Sequence, residues 1–359
     1  MHVTDYRLRT LAVPLDPPIS DSQTDDTRAG IVALELEADT GAVGLGLGGV
    51  DPDRSPATVR RAFETAWEAV ADESPHHLLG RMRRPRGGEY PPAHHGGFER
   101  VVDVALWDLA GKDLDAPLYE LFGGEDPRVP AYASGLLFSV DDDAVRRRYS
   151  GYADAGFDAA KVKVGYPTVE ADVDRIELVR DAMGGDVTIA LDANEAFGPK
   201  EAVRRAHAYR DAGIDVLWLE DPCHRRDVDG IARVAEQVPF SHVNTGEYVP
   251  LEGKRELLEN AACDVLNLRN GMFSGSLDAA VLARAYGVGT HVGHVPGHVG
   301  VHLAAAVPEH VMIEWWDRPW DDLTDDSVTV EDGHLVAPDR PGHGVTLRDD
   351  ALEEYGRTE

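Results

Sequence analysis

Three carboxylates recur through the second half of the chain at nearly constant spacing: Asp192, Glu220 and Glu247, 28 and then 27 residues apart. Each closes a short run of mostly apolar residues, at 187–192, 216–220 and 243–247. A strand, a helix and their two connections take about 25–30 residues, so the interval is that of one βα repeat. Successive parallel strands would then each end in a carboxylate, at the end of a parallel barrel where active sites form. Carboxylates brought together repel unless a cation lies among them, and an all-oxygen donor set suits Mg²⁺. One strand earlier the chain reads Lys161-Val162-Lys163. Alternation puts both lysines on one face of that strand. Only five of the 35 basic residues are lysines (Lys112, Lys161, Lys163, Lys200 and Lys254), so a pair inside an apolar strand points to chemistry. Neighbouring ammonium groups beside a cation depress one another's pKa, and a lysine so tuned serves as a general base.

The elements that must position these groups follow from the hydrophobic pattern. From residue 129 the chain alternates strand and helix, with strands expected at 129–133, 159–164, 187–192, 216–220, 241–246, 265–268, 289–292 and 311–315. Between them lie amphipathic segments such as 169–183, with apolar residues at Val173, Ile176, Val179 and Met183. Pro199 suits a first helical turn and Gly213 a helix end. Eight strands with intervening helices predict a TIM-type barrel. The first 50 residues predict antiparallel strands at 7–15, 30–38 and 42–47, the last two joined by the turn Asp39-Thr40-Gly41. Residues 16–28, rich in Pro, Ser and Asp, predict a loop; 56–71 and 98–114 predict helices, and 80–97 irregular structure. The expected division is an α+β domain over 1–125, a barrel over 126–320, and an acidic segment over 321–359 that returns to the first domain.

Length and composition fit a large globular protein, with 43% apolar residues among 359. No apolar run nears the roughly 18–20 residues that cross a bilayer, and the first residues have no signal-peptide pattern. Two cysteines, Cys223 and Cys263, imply no disulfide framework. A cytoplasmic protein with no membrane partner is expected. The net charge of −30 argues against nucleic-acid binding, which requires basic patches. With so few lysines, it also gives the surface a halophilic texture, soluble where salt screens repulsion.

Taken together, the motifs resemble the enolase superfamily, in its mandelate racemase and muconate-lactonizing branch. The resemblance rests on residues 104–112 (VALWDLAGK), 121–124 (LFGG), Lys161-Val162-Lys163, Leu191-Asp192-Ala193-Asn194, Leu219-Glu220-Asp221-Pro222 and Gly246-Glu247, in this order along nearly the whole chain. It implies an α/β fold, a modified TIM barrel (β/α)7β with an α+β capping domain. It also implies one partial reaction: Mg²⁺ (or Mn²⁺) binds a substrate carboxylate, a base removes the α-proton, and the cation stabilises the resulting enediolate. The resemblance assigns Asp192, Glu220 and Glu247 as metal ligands, Lys163 as base and Lys161 as its electrostatic partner. Asn194 and Asp221 fall in the motifs as substrate or supporting contacts. No organic cofactor is implied, and family members often form symmetric homo-oligomers.

The opposite wall departs from the family's common patterns. Arg269 stands where one branch carries a second catalytic lysine; a guanidinium stays protonated and clamps anions or hydroxyls instead. The aspartate of an Asp–His dyad is not evident, since Asp264 begins its strand. His294 takes the position of the family histidine, with His291 as competitor, and His298 falls near an acid that assists the intermediate. Glu314, Trp315 and Trp316, residues 17–27, and the surroundings of His94 and His95 are candidate pocket or specificity elements. One lysine base facing a histidine fits dehydration of a sugar acid, a small-molecule carboxylate, to a 2-keto-3-deoxy acid. The alternative is a racemase or epimerase on the same intermediate. A cycloisomerase and a non-catalytic sugar-acid-binding relative are the remaining readings.

Overall fold

The structure is a computed structural model and describes residues 1–83, 98–269, 272–293, 297–307, 309–316, 322–325 and 328–357. His294, His94 and His95 therefore lie outside the described residues.

The chain opens with three antiparallel strands, β1 (Val3–Ser20), β2 (Asp25–Ala38) and β3 (Val43–Val50), paired in that order. Glycine alternates along β3. A Cβ on Gly46 would meet the Val101 carbonyl at 2.0 Å, so the helix Glu99–Asp113 lies directly on the strand backbone. The alternate residues Leu45 and Leu47 face the other way, packing with Leu323, Val345 and Ala351 from the end of the chain. Asp108, fully buried on that helix, ties the layers together. It accepts from Leu45 N (2.9 Å), His343 N (3.0 Å) and Lys112 Nζ (2.7 Å).

One expectation fails here. Residues 16–28 form no long loop: β1 and β2 continue as a hairpin through Ile19↔Asp26, with a register shift between Pro14 and Ile19. The prolines and acids that suggested a loop belong to a ribbon projecting beyond the three-stranded sheet, where ladder bonds are few and Pro is tolerated.

Eight parallel strands follow: β4 (Arg128–Ser134), β5 (Ala159–Lys163), β6 (Thr188–Asp192), β7 (Val216–Glu220), β8 (His242–Thr245), β9 (Val265–Asn267), β10 (Gly289–Val292) and β11 (His310–Trp315). Each pairs with the next, and β11 pairs with β4 to close the barrel. Seven helices separate them, giving (β/α)7β. Side-chain caps set three of their starts: Asp141 accepts from Ala144 N, Thr168 from Ala171 N and Asp227 from Gly230 N. Pro199 opens its helix, as its fixed φ favours. The hairpin β12 (Thr329–Glu331) and β13 (His334–Val336) then adds to the barrel through antiparallel pairing of β13 with β4.

The apolar core lies between strands and helices. The barrel axis is unusually polar, with Tyr132, Trp218, Asn244 and His291 stacked below the strand ends. Among the described residues no helix is long and apolar enough to cross a membrane.

Candidate active site

Register brings the expected residues together. Lys163 pairs with Asp192 across β5 and β6, Asp192 with Glu220 across β6 and β7, and Glu220 with Asn244 across β7 and β8. A lysine and two carboxylates thus end adjacent strands at one level. Glu247 lies two residues beyond β8, after Gly246, whose φ of +115° suits only glycine. Asn194, Glu195 and Asp221 all take left-handed backbone conformations just past strand ends. Such conformations cost about 1–2 kcal/mol each for non-glycine residues and concentrate at functional sites.

Lys163 Nζ donates to Asp192 Oδ2 and Asn194 Oδ1, both at 2.7 Å. Asn194 N in turn donates to Asp192 Oδ1 at 2.9 Å, which fixes the triangle. Lys161 lies deeper, 2.8 Å from Glu314, 3.3 Å from Asp192 and 3.4 Å from Glu220. Burial acts to lower its pKa, but Glu220 and Glu314 outweigh it and hold the group well above its ordinary range. The mutual depression expected for the lysine pair is therefore not what governs Lys161; its carboxylate neighbours do. Glu314, expected as a substrate contact, is a buried counter-ion of Lys161.

The donor set fits a divalent cation. Glu220 is pushed well above the carboxylate range by burial and, against the pull of Lys161, by Asp192 and Glu314. Asp221 is raised to about 7 by burial and by Glu247 and Asp192. So many buried acid groups call for more positive charge than two lysines provide, and all the donors are hard oxygens. Among the described residues no three of these groups already converge as a ligand cage, since Glu247 pairs with Arg269.

Arg269 is nearly buried, pairs with Glu247 and stacks on the Tyr248 ring at 4.5 Å. Asp264 accepts from Val243 N at the opposite end of the barrel, so no dyad aspartate comes from it. His291 is fully buried on the barrel axis, its Nδ1 4.0 Å from Glu220 Oε1. It is enclosed by Tyr132 OH (2.7 Å) and Asn244 (3.0 Å), and burial lowers its pKa to about 3. His298 lies beside His343, ring centroids 5.0 Å apart, near the junction with the first domain. Trp315 lines a separate groove with Asp16, Pro17 and Arg148.

Sequence reasoning missed three residues. Asn267 donates to Glu220 Oε1 (3.3 Å) and accepts from Arg269 N (3.0 Å), linking the carboxylate wall to the arginine. Lys254, fully buried, donates to the Gly246 and Asn267 carbonyls and so ties the ends of β8 and β9; burial lowers its pKa to about 7. Its rarity as a lysine was the available signal. Tyr132 lies under Lys161, its ring 5.6 Å from Nζ, and nothing in its sequence surroundings marked it.

A capped (β/α)7β barrel whose adjacent strand ends carry a lysine and a row of carboxylates belongs to a class of enzyme, lyases and isomerases. Residues 4–123 match the family model for the mandelate racemase / muconate lactonizing enzyme N-terminal domain, and residues 144–351 the enolase C-terminal domain-like model. The chain belongs to the enolase superfamily, in the mandelate racemase and muconate-lactonizing branch. It is 31% identical to an arabinonate dehydratase of Saccharolobus solfataricus over 90% of each chain. A structure of a putative mandelate racemase from Mesorhizobium loti superposes with a TM-score of 0.92 at 36% identity, over 99% of this chain and 95% of that one. A racemase from Streptomyces coelicolor A3(2) with bound magnesium superposes at 0.86 with 26% identity, over 99% of this chain and all of that one. Other relatives are named as cycloisomerases, a hydrophobic dipeptide epimerase and an L-Ala-D/L-Glu epimerase.

Proposed function

We propose that this chain removes the proton α to the carboxylate of a sugar acid, with Lys163 as base and Mg²⁺ as bound cation, and completes a dehydration to a 2-keto-3-deoxy acid. The observation that carries the reading is the placement of Lys163, 2.7 Å from both Asp192 and Asn194, at the level where Asp192 and Glu220 end their strands. A divalent cation held by Asp192, Glu220 and Glu247 would supply stabilisation for negative charge developing on the substrate carboxylate. Lys161, kept charged by Glu220 and Glu314, adds a fixed positive charge behind the reacting carboxylate. Asn194 accepts from Lys163 and holds the ammonium product of proton transfer in place. Arg269 cannot serve as a base at neutral pH. The far wall at β9 therefore binds rather than abstracts, so a two-base racemisation would need His294 as its second base. By the family pattern, His294 is the group that protonates the departing β-hydroxyl.

The test is incubation of the Mg²⁺-loaded protein, in high salt, with a panel of aldonic and aldaric acids. A 2-keto-3-deoxy product is expected from at least one. Inversion at Cα with no loss of water would replace the lyase reading with the racemase one. Neither product from any acid would reject both.

A further inference from the structure

Charge divides the mouth of this barrel. On one side lie Asp192, Glu220, Asp221 and Glu314 with the two lysines; across Glu247 lie guanidinium groups. Arg269, just past β9, pairs with Glu247 and stacks on Tyr248 at 4.5 Å. Arg225, in the loop after β7, lies 4.6 Å from the same ring and pairs with Glu195. Arg100, on the helix Glu99–Asp113 of the first domain, is close enough that the Arg269 charge, after burial, depresses its pKa. Tyr248 is 52% exposed and the Arg225 side chain 28%, so this cluster opens to solvent on the Arg225 side. This concentration of arginine occurs in a chain of net charge −30.

The side chain of Arg269 is only 11% exposed, and it stays charged at every working pH. A carboxylate engaged by a divalent cation gives less of its charge to a neighbouring guanidinium. With Glu247 so engaged, a nearly buried Arg269 needs another anion, because an uncompensated buried charge is strongly unfavourable. The substrate's α-carboxylate belongs at the cation, so it does not meet that need.

We propose that Arg269, Arg225 and the Tyr248 ring between them form a binding wall for a second anionic group on the substrate, a distal carboxylate or phosphate. The substrate then carries two anionic groups (a dianion for short, though a phosphate adds further charge): an aldaric acid or a phosphorylated aldonic acid, in preference to a simple aldonic acid. This rests on the sugar-acid reading above and names its substrate class. Planar guanidiniums match carboxylate and phosphate oxygens two at a time, and the exposed ring holds both in orientation.

The experiment measures dissociation constants by calorimetry in 0.5 M KCl with saturating Mg²⁺. Ligands are the aldonic and aldaric acids of glucose, galactose and mannose, and 6-phosphogluconate. Cα-deuterium exchange is followed in parallel. At least one dianion is expected to bind tenfold or more tightly than its matched monoanion, and the carboxylate and phosphate arms show which group is taken. Arg225→Met and Arg269→Met should each bring that ratio close to unity. Arg225 does not touch Glu247, so its variant carries the test if Arg269→Met misfolds or loses metal. The proposal is overturned if no dianion binds better than its monoanion, or if both variants weaken every ligand equally. Discrimination in binding without exchange on any acid would leave the wall standing and reject the α-proton chemistry.

Discussion

At the level of single residues, the site is defined by how each buried charge is partnered. Lys161 is locked by three carboxylates, whereas Lys163 touches one carboxylate and one amide. The two ammonium groups therefore have different surroundings although they stand on one face of a single strand, two residues apart. The histidines make the opposite case. His291, His302 and His310 are all held near a pKa of about 3 by burial, against an ordinary value of about 6.5. Such groups are neutral in the fold and take up protons on unfolding, so their contribution is intact above about pH 6.5 and is lost as pH falls toward 3. At pH 5 each costs about 2 kcal/mol. His310, whose ring nitrogens have no hydrogen-bond partner among the described residues, is the cleanest probe. His310→Leu should leave the melting temperature at pH 7.5 unchanged or higher and reduce its fall between pH 7 and pH 5. An unchanged acid slope would show that the ring is solvated. The sequence displayed Asp192, Glu220, Glu247, Lys161 and Lys163 because a rare residue type or a regular interval marked each. Tyr132 and Asn267 were hidden because they matter only through neighbours on other strands.

At the level of elements, the barrel was legible and the first hairpin was not. Barrel strands are short, nearly fully buried and bounded by helical periodicity, so local pattern and global fold agree. The extension of β1 and β2 is exposed, proline-bearing and stabilised at its tip by contacts more than a hundred residues away. Ser22 Oγ donates to Asn194 O at 3.2 Å and Gln23 Nε2 to the same carbonyl at 2.6 Å. Ser20 Oγ accepts from Phe138 N (2.9 Å) and Ser139 N (2.8 Å) near the end of β4. The hairpin therefore presses on the strained turn that carries Asn194, the amide bound to Lys163. Gln23→Ala should raise KM several-fold while changing kcat by less than about threefold, since it loosens a support without removing a reacting group. A loss confined to kcat would mean that the hairpin acts on Lys163 itself. A second joint holds the first domain to the barrel: Asp103 accepts from Ser274 N (2.7 Å) and Ser274 Oγ (2.5 Å), at the start of the helix after β9. Arg100 lies one turn before it, so the same joint sets the distance from the first domain to the arginine wall.

At the scale of the whole molecule, the distribution of lysine is informative. Of the five, Lys161, Lys163 and Lys254 are buried and Lys112 is bound to Asp108 and the Val43 carbonyl; Lys200 alone is exposed. Lysine has been kept where an ammonium has a partner and excluded from the surface, where acidic groups dominate. Self-repulsion at −30 weakens the compact state at low ionic strength and is screened as salt rises. Raising KCl from 0.2 to 2 M should therefore increase the melting temperature by about 10 °C or more; a flat or falling response would mean that the acidic surface is already neutralised within the fold. The general outline of this molecule, capped barrel and carboxylate row, was legible because it repeats along the chain. The polarity of the barrel axis and the division of the mouth into acidic and guanidinium halves were not, because they arise from closure of the barrel.

The central claim is that Lys163 takes the α-proton of a cation-bound acid. The most direct measurement is Cα-hydrogen exchange in D₂O, by proton NMR, for the wild-type and Lys163→Ala proteins loaded with Mg²⁺. The substrate is the acid that the panel identifies. Wild type should lose the Cα resonance. Lys163→Ala should slow exchange by at least about a thousandfold, the upper part of the range for loss of a general base, while keeping its melting temperature and metal affinity. Exchange that survives undiminished in Lys163→Ala would contradict the account.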